Sequence, residues 1–305
     1  MKIPSNNCTL ERLLDFYLRS PAFAKLKGRT QISYEAYLKA VSKTVVSGKM
    51  LKNYRLEEIK PSHLNNAYEQ WLKVGVRTAN YRKATLSAAW KYGMRNDIMV
   101  HNPVSLIKTE ASQPRKVKWT RDQVKTFLNT GYTNARWRSI TLIVHMAYDW
   151  GQRVGDMRVL TWDKLDLTEC RLDITQSKRG ADVHLPISAG LCRMLQQQKD
   201  DFGFQDYVAP RVTPRAGAYT PYDIDEIHIY INEVLAEANL PSHLTAMDLR
   251  RTAVTEMMEK GVDLAGIMQV TGHKNANSVR PYMVNTFSGA SKALAARGND
   301  DDEYS

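Results

Sequence analysis

A polar segment near the end of the first third divides the chain into two parts. Residues 108–118 read Lys-Thr-Glu-Ala-Ser-Gln-Pro-Arg-Lys-Val-Lys, a stretch that contains Pro114 and has no apolar periodicity. This composition is typical of a linker between folded domains. A chain of 305 residues is also long enough for two domains, each with its own core. The sequence therefore predicts domains at 1–110 and 119–290, a linker at 111–118, and a tail at 291–305 with an acidic, disordered end.

The first domain has the apolar spacing of helices. Its large apolar side chains recur at intervals of three and four residues, which predicts an all-helical domain. One predicted helix, at 78–95, places apolar residues along one stripe and basic residues largely away from it. The basic residues of this helix are Arg82, Lys83, Lys91 and Arg95.

The second domain combines helices with a short hairpin. Thr120 and Gln123 form a capping-box pattern that predicts a helix start, and a further helix is expected at 140–148. Apolar and polar residues alternate at 172–175 and 183–186 around a Gly-containing turn, which predicts two paired strands. A short helix is expected at 154–160, and helices resume at Thr220 as N-cap with Pro221 at the first helical position. The fold class is therefore mainly α with a small β-sheet or hairpin.

The positive charge is concentrated in the first domain. Lys and Arg exceed Asp and Glu by 11 over the chain, and residues 1–110 alone carry 19 basic and 8 acidic side chains. This imbalance favours a polyanionic partner, and double-stranded DNA is the partner we expect. Arg82, Lys83, Lys91 and Arg95 are the candidate DNA contacts, although each is equally compatible with a solvated helix face.

Several functional classes lack their sequence signatures. There is no phosphate-binding P-loop, no zinc-protease motif and no hydrolase nucleophile elbow, and the seven His residues have no metal-ligand spacing. The three Cys residues predict neither a disulfide framework nor a zinc cluster. No segment has the length and hydropathy of a membrane span or a secretory signal, so we expect a cytoplasmic protein with no membrane partner. We also expect no metal and no cofactor.

Three segments of the second domain together resemble the tyrosine recombinase, or phage integrase, family. Residues 148–166 begin Tyr-Asp-Trp-Gly-Gln-Arg-Val-Gly-Asp and are similar to the first arginine box of that family. Residues 248–255 are similar to its second arginine box. Residues 271–282 are similar to its Gly-His box followed by the nucleophilic tyrosine. One box alone would be a weak signal, but three in the family's order are specific, and they imply that residues 119–290 are the mixed α+β catalytic domain of that family. The N-terminal helices resemble, more weakly, the family's all-helical, SAM-like core-binding domain, so the likeness covers roughly residues 9–290.

The resemblance implies a set of catalytic roles. Arg153 and Arg250 would bind the non-bridging oxygens of a phosphodiester, Tyr282 would attack phosphorus, and Lys178 would protonate the leaving 5′-oxygen. His273 would hydrogen-bond the phosphate or the nucleophile. Asp156, one helical turn after Arg153, would orient that guanidinium. Taken singly, each residue is more often structural, because arginines commonly form surface ion pairs and tyrosines commonly pack in cores.

Two residues, Met247 and Pro281, affect what the resemblance implies for the chemistry. The family usually has His three residues before the second arginine, where this chain has Met247, whose thioether cannot accept the tyrosine proton. The identity of the general base is therefore open, with His243 and Thr245 nearby in sequence. Pro281 restricts the preceding residue, so we expect the helix of Tyr282 to begin there.

The resemblance implies a site-specific DNA recombinase that cleaves and rejoins duplex DNA through a 3′-phosphotyrosine, without metal or ATP. Such a protein would act as a homotetramer on paired DNA sites, with residues 287–296 docked on a neighbouring subunit, and accessory DNA-bending or directionality factors are further candidate partners. Two alternatives remain open at this point. One is a catalytically weakened DNA-binding member of the family, and the other is a nicking-closing enzyme like the type IB topoisomerases.

Overall fold

The chain folds into two compact units. The computed structural model describes residues 8–113, 115–178, 180–279, 290–291 and 294–295. One unit comprises residues 1–114 and the other residues 115–305. The boundary falls inside the predicted linker. Within the described residues, no helix combines the length and apolar character needed to cross a membrane.

Helices build most of the first unit. Its elements are α1 (Leu10–Leu18), α2 (Pro21–Ala24), α3 (Gly28–Ser42), β1 (Val45–Val46), β2 (Lys49–Met50), α4 (Pro61–Leu72) and α5 (Val76–Arg95). Helices α1, α3 and α4 pack on the long helix α5, and the core contains the indoles of Trp71 and Trp90. Ser20 caps α2, and Pro21 stands at its first position, where its missing N–H costs no hydrogen bond. Strands β1 and β2 form a hairpin that turns at Gly48 and that the helical pattern did not predict.

The second unit is a helical domain with a three-stranded antiparallel sheet. Its described elements are α6 (Arg121–Tyr132), α7 (Arg138–Asp149), α8 (Val154–Met157), β3 (Leu165–Asp166), β4 (Arg171–Thr175), β5 (Asp182–Pro186), α9 (Ala189–Phe202), α10 (Ile224–Glu237), α11 (Ala246–Glu259) and α12 (Leu264–Thr271). Helix α7 lies at the centre, buried on most of its sides, and contacts α6, α8, α9, α10 and α11. The mainly helical fold class with a small sheet is confirmed.

The local predictions in this unit are largely confirmed. Thr120 caps α6, accepting from the Gln123 amide at 3.2 Å while the Gln123 side chain accepts from the Thr120 amide at 2.9 Å. Strands β4 and β5 pair as predicted, with Leu172 opposite Leu185, and β3 adds a third strand on the other edge of β4.

Two predicted helix boundaries are wrong. Helix α10 begins at Ile224 after Asp223, because the carbonyl of Thr220 accepts from the Arg211 amide and the carbonyl of Tyr222 accepts from Arg158. The backbone carbonyls just before Asp223 therefore accept hydrogen bonds from groups outside α10. Helix α8 ends at Met157 rather than at Leu160, whose carbonyl accepts from the amide of Val208.

The N-terminus of α11 is fixed by a buried carboxylate. Asp248 accepts from the Thr245 amide at 3.0 Å and the Thr245 hydroxyl at 2.8 Å, and it receives two hydrogen bonds of 2.8 Å from Arg115. Arg115 also donates to the carbonyl of His243. Burial alone would raise the pKa of Asp248, but the hydrogen bonds from Arg115 and Thr245 outweigh it and hold the pKa below its ordinary value.

We predict that Asp248→Asn destabilises the full-length chain by about 1–3 kcal/mol at pH 7. A carboxyl whose pKa is lowered in the folded state stabilises that state above the unfolded pKa of about 3.9, and this contribution is lost as the pH falls through the lower folded value. Urea denaturation at pH 7 and pH 3 should therefore give a smaller difference between wild type and variant at pH 3. The exposed Glu237→Gln in α10 is the control. A difference that does not change with pH would contradict a role for the charge.

Candidate active site

Arg153 lies at the start of a short helix that follows a tight break in the chain. Gly151 ends α7 with a φ of +57°, and Arg153 is the extended N-cap residue of α8. The Nη1 atom of Arg153 donates to Oε1 of Gln176 at 2.8 Å and lies 3.6 Å from Oδ2 of Asp156. The side chain is 25% exposed, so the guanidinium is held by the protein but still open to solvent.

Asp156 connects the first arginine box to the hairpin turn. Its Oδ1 accepts from the Ser177 amide at 3.2 Å and also from the Ser177 hydroxyl. Lys178, the next residue, is exposed in the same turn, which Gly180 closes with a φ of +57°. The amide of Gly180 donates to the carbonyl of Gln176 at 2.9 Å. The structure thus brings the predicted Arg153 and Asp156 to the base of the turn that carries Lys178.

Arg250 is buried where α11 meets two loops. Its Nη1 donates to the carbonyl of Gly151 at 3.1 Å, and its Nη2 donates to the carbonyl of Thr271 at 2.6 Å. The first bond reaches the break before Arg153, and the second reaches the end of α12. Neither of these two acceptors is ionised, so these two hydrogen bonds do not offset the guanidinium charge.

His273 lies directly beside Arg250. The hydroxyl of Thr271 donates to the carbonyl of Ile267 at 2.6 Å, so its oxygen is left to accept from Nδ1 of His273, also at 2.6 Å. Nε2 of His273 lies 3.2 Å from Nη2 of Arg250.

A left-handed glycine gives His273 its position. Gly272 ends α12 with a φ of +65°, and the amide of His273 donates back to the carbonyl of Met268 at 3.2 Å. A Cβ on Gly272 would lie 2.6 Å from Nε2 of Gln176 and 2.9 Å from a methyl group of Val183. Both the backbone angle and the close approach of the hairpin therefore require glycine.

Two glutamines that sequence analysis missed join these parts. Gln152 and Gln176 are each 1% exposed. Nε2 of Gln176 donates to Oε1 of Gln152 at 2.6 Å and to the carbonyl of Thr271 at 2.8 Å. Nε2 of Gln152 donates to the carbonyls of Trp150 and Val270 at 3.0 and 2.6 Å. The sequence offered one signal for them, since Gln152 precedes Arg153 and Gln176 lies two residues before Lys178.

Not every predicted residue joins this cluster. Tyr282, Pro281 and most of the segment 287–296 lie outside the described residues. Met247 is 71% exposed in the first turn of α11. Of the two alternative bases, Thr245 gives its hydroxyl hydrogen to Asp248, and His243 is exposed with its carbonyl bound by Arg115.

The basic residues of α5 differ in exposure. Lys91 and Arg95 are exposed, whereas Lys83 and Arg82 are half-buried. Arg82 is spaced three and four residues from the buried Ala79 and Leu86, and its Nε is buried with no hydrogen-bond partner among the described residues. Lys91 and Arg95 are thus the more accessible part of the predicted DNA-contact set.

A cleft adjoins the cluster. Its volume is about 400 Å³, and it lies between the hairpin turn and the end of α12. Among the described residues, no group of three or more His, Cys, Asp or Glu side chains is arranged to hold a metal ion. The cleft is lined by Gly180, Ala181, Asp182, Met268, Gln269, Gly272, His273 and Lys274.

Comparison with known proteins agrees with the three boxes. Residues 118–288 match the model of the phage integrase family. The chain belongs to the phage integrase family. The integrase of Enterobacteria phage 434 is 26% identical over 59% of this chain and 48% of its own length, so the chain spans about half of that relative. The tyrosine recombinase XerC of Alcanivorax borkumensis is 25% identical over 74% of this chain and 77% of its own length.

Solved structures of family members have the same fold. A lambda integrase dimer bound to a COC′ core site superposes with a TM-score of 0.74 at 20% identity, over 91% of this chain and 78% of that one. The Tn1549 transposon integrase in complex with a circular intermediate DNA gives 0.72 at 15% identity, over 94% of this chain and 99% of that one.

We predict that Gly272→Ala costs about 2–4 kcal/mol of stability, because the left-handed backbone and the collision with Gln176 both contribute. Gly217→Ala is the matched control, since Gly217 has a φ of +78° but nothing within 4 Å of an added Cβ. That variant should cost about 1 kcal/mol. Urea denaturation of the full-length proteins measures both. Equal losses would show that the approach of Gln176 to Gly272 is not a constraint.

Proposed function

We propose that this protein is a site-specific DNA recombinase that cleaves and rejoins duplex DNA through a 3′-phosphotyrosine. The observation that carries the proposal is the placement of two guanidiniums in one network. Arg153 binds Gln176, Gln176 binds the Thr271 carbonyl, and Arg250 binds the same carbonyl beside His273. Two fixed guanidiniums suit a phosphodiester, because they neutralise the charge that grows on its non-bridging oxygens in the pentavalent transition state.

Within this proposal each residue has one task. The phenolic oxygen of Tyr282 attacks phosphorus as its proton passes to water, the bond to the 5′-oxygen breaks, and Lys178 gives that oxygen its proton. Attack of a 5′-hydroxyl on the phosphotyrosine then reverses the steps and frees the tyrosine. One phosphoester bond replaces another throughout, so rejoining needs no ATP. His273, whose Nε2 lies 3.2 Å from Nη2 of Arg250, would hydrogen-bond the phosphate that Arg250 holds.

The remaining parts of the chain supply binding. The excess positive charge of residues 1–110, including the exposed Lys91 and Arg95, would attract the DNA backbone and make affinity fall with salt. The structures of relatives bound to DNA as dimers, and as a tetramer on a Holliday junction, support a homotetramer on paired DNA sites for this chain.

We predict that the protein forms a covalent adduct with DNA that is lost in Tyr282→Phe. Because the target sequence is unknown, the probe is a pool of nicked duplexes with randomised sequence, in which the short leaving strand diffuses away after cleavage. Adducts that survive denaturation are recovered and their DNA is sequenced. Removing one hydroxyl oxygen removes the nucleophile, so Tyr282→Phe should bind the selected duplex normally and give no adduct.

The same selected DNA separates the alternatives. Tight binding with no adduct in the wild type would overturn the enzyme proposal in favour of a DNA-binding protein. Recombinant products from two selected sites support the recombinase, whereas relaxation of a supercoiled plasmid without recombinants would indicate a nicking-closing enzyme.

We further predict that Met247→His increases the rate of cleavage, by up to about 10²-fold. An imidazole with a pKa of about 6.5 can accept the phenolic proton, and the gain should appear as the pH rises through that value. The exposure of Met247 makes the substitution compatible with the fold. Met247→Gln, which adds a polar group without a titratable one in this range, is the control. Cleavage by Met247→His that is unchanged or slower would contradict the idea that this position lacks a base.

A further inference from the structure

The amide groups of Gln152 and Gln176 have one orientation that satisfies all their neighbours. Nε2 of Gln176 faces two acceptors, the Gln152 side-chain oxygen and the Thr271 carbonyl, so its Oε1 must face Arg153. Gln152 is fixed in turn because its own Nε2 faces two backbone carbonyls. The hydrogen bonds therefore run in one direction, from Arg153 to Gln176 to Gln152 to the end of α12.

We propose that Gln176 is a positioning residue for Arg153, holding its guanidinium with a neutral acceptor so that the charge stays available for the scissile phosphate. The inference rests on the proposed function and extends it to a residue outside the three boxes. Gln152 supports the same role by fixing the Gln176 amide.

A neutral acceptor matters here for two reasons. Asp156 already lies 3.6 Å from Arg153, and a carboxylate at position 176 would add a second negative charge that offsets more of the positive charge the phosphate needs. It would also have no hydrogen to donate to the Thr271 carbonyl or to Gln152, leaving carboxylate oxygens against two other oxygens in a buried site. Glutamine alone among side chains of this length offers both a neutral acceptor and two donors.

The burial of Gln176 makes its attachment to Arg153 rigid. Gln176 is buried, and the carbonyl it binds is also bound by Arg250. Arg153 and Arg250 are therefore both positioned relative to the carbonyl oxygen of Thr271, Arg153 through Gln176 and Arg250 directly. A displacement of a guanidinium by about 1 Å from its productive position can lower the cleavage rate on the order of 10²-fold.

A purely structural role for Gln176 would lower cleavage of every substrate equally, so the test compares two substrates. One duplex selected by covalent capture carries its ordinary scissile phosphate, and the other carries a methylphosphonate there, which has no charge to neutralise. We expect Gln176→Ala to cleave the ordinary phosphate about 10²-fold more slowly than wild type. On the methylphosphonate the deficit should shrink to a few-fold, as it should for Arg153→Ala.

The matched control is Gln198→Ala. Gln198 is also 1% exposed in the second unit and donates to the Ser139 hydroxyl at 3.2 Å, away from the arginine boxes. It should lose stability comparably and show the same relative rate on both substrates. Gln176→Glu keeps the side-chain length, so it provides a second variant if Gln176→Ala unfolds. It should also cleave the ordinary phosphate more slowly than wild type.

The outcomes are distinguishable from failure of the proposed function. Equal deficits of Gln176→Ala on both substrates, a loss of cleavage in Gln198→Ala as large as in Gln176→Ala, or wild-type cleavage by Gln176→Glu would overturn the role of Gln176 while leaving the recombinase proposal intact. Absence of any Tyr282-dependent adduct in the wild type would overturn the proposed function, and this inference with it.

Discussion

The carbonyl oxygen of Thr271 is the point on which the site depends. It accepts from Gln176 at 2.8 Å and from Arg250 at 2.6 Å, and so joins the hairpin and α11 at the end of α12. A carbonyl has two lone pairs, and both are used here. Losing either donor would leave buried polar groups unpaired, at a cost of about 1–3 kcal/mol each. The catalytic candidates are thus held in place by the same bonds that close the fold.

Gly272 makes this double acceptance possible. The left-handed residue ends α12 and turns the chain, and its missing Cβ lets the Gln176 amide approach to a distance that alanine would block. The backbone angle and the close approach of Gln176 therefore require this glycine independently of the chemistry of His273. The hairpin and the helix must both be in place before the two arginines are aligned, so we infer that the site forms only when the whole second unit has folded.

The sequence predicted what local rules determine and missed what long-range packing determines. The capping box at Thr120 and the paired strands follow from neighbouring residues, and the structure confirms them. The link between Gln152 and Gln176 spans 24 positions and belongs to no periodic pattern, so only the tertiary structure reveals it. Cys170 and Cys192 are a similar case: they are 22 positions apart, and their Sγ atoms lie 3.2 Å apart. The start of α10 was misplaced because a distant amide, that of Arg211, binds the Thr220 carbonyl.

The two units carry their positive charge in different ways. In the first unit, excess basic residues act at long range, are screened by salt and need no fixed geometry. In residues 111–305 the basic and acidic side chains balance, at 24 of each, so positive potential at the site has to come from placement. The backbone carbonyls that accept hydrogen bonds from Arg250 are neutral. One carboxylate oxygen of Asp156 accepts a hydrogen bond from Ser177, and the other lies 3.6 Å from Arg153. Gln176 and the backbone carbonyls add no negative charge beside Arg153 and Arg250, so a region with no net charge can still present positive charge to a phosphate.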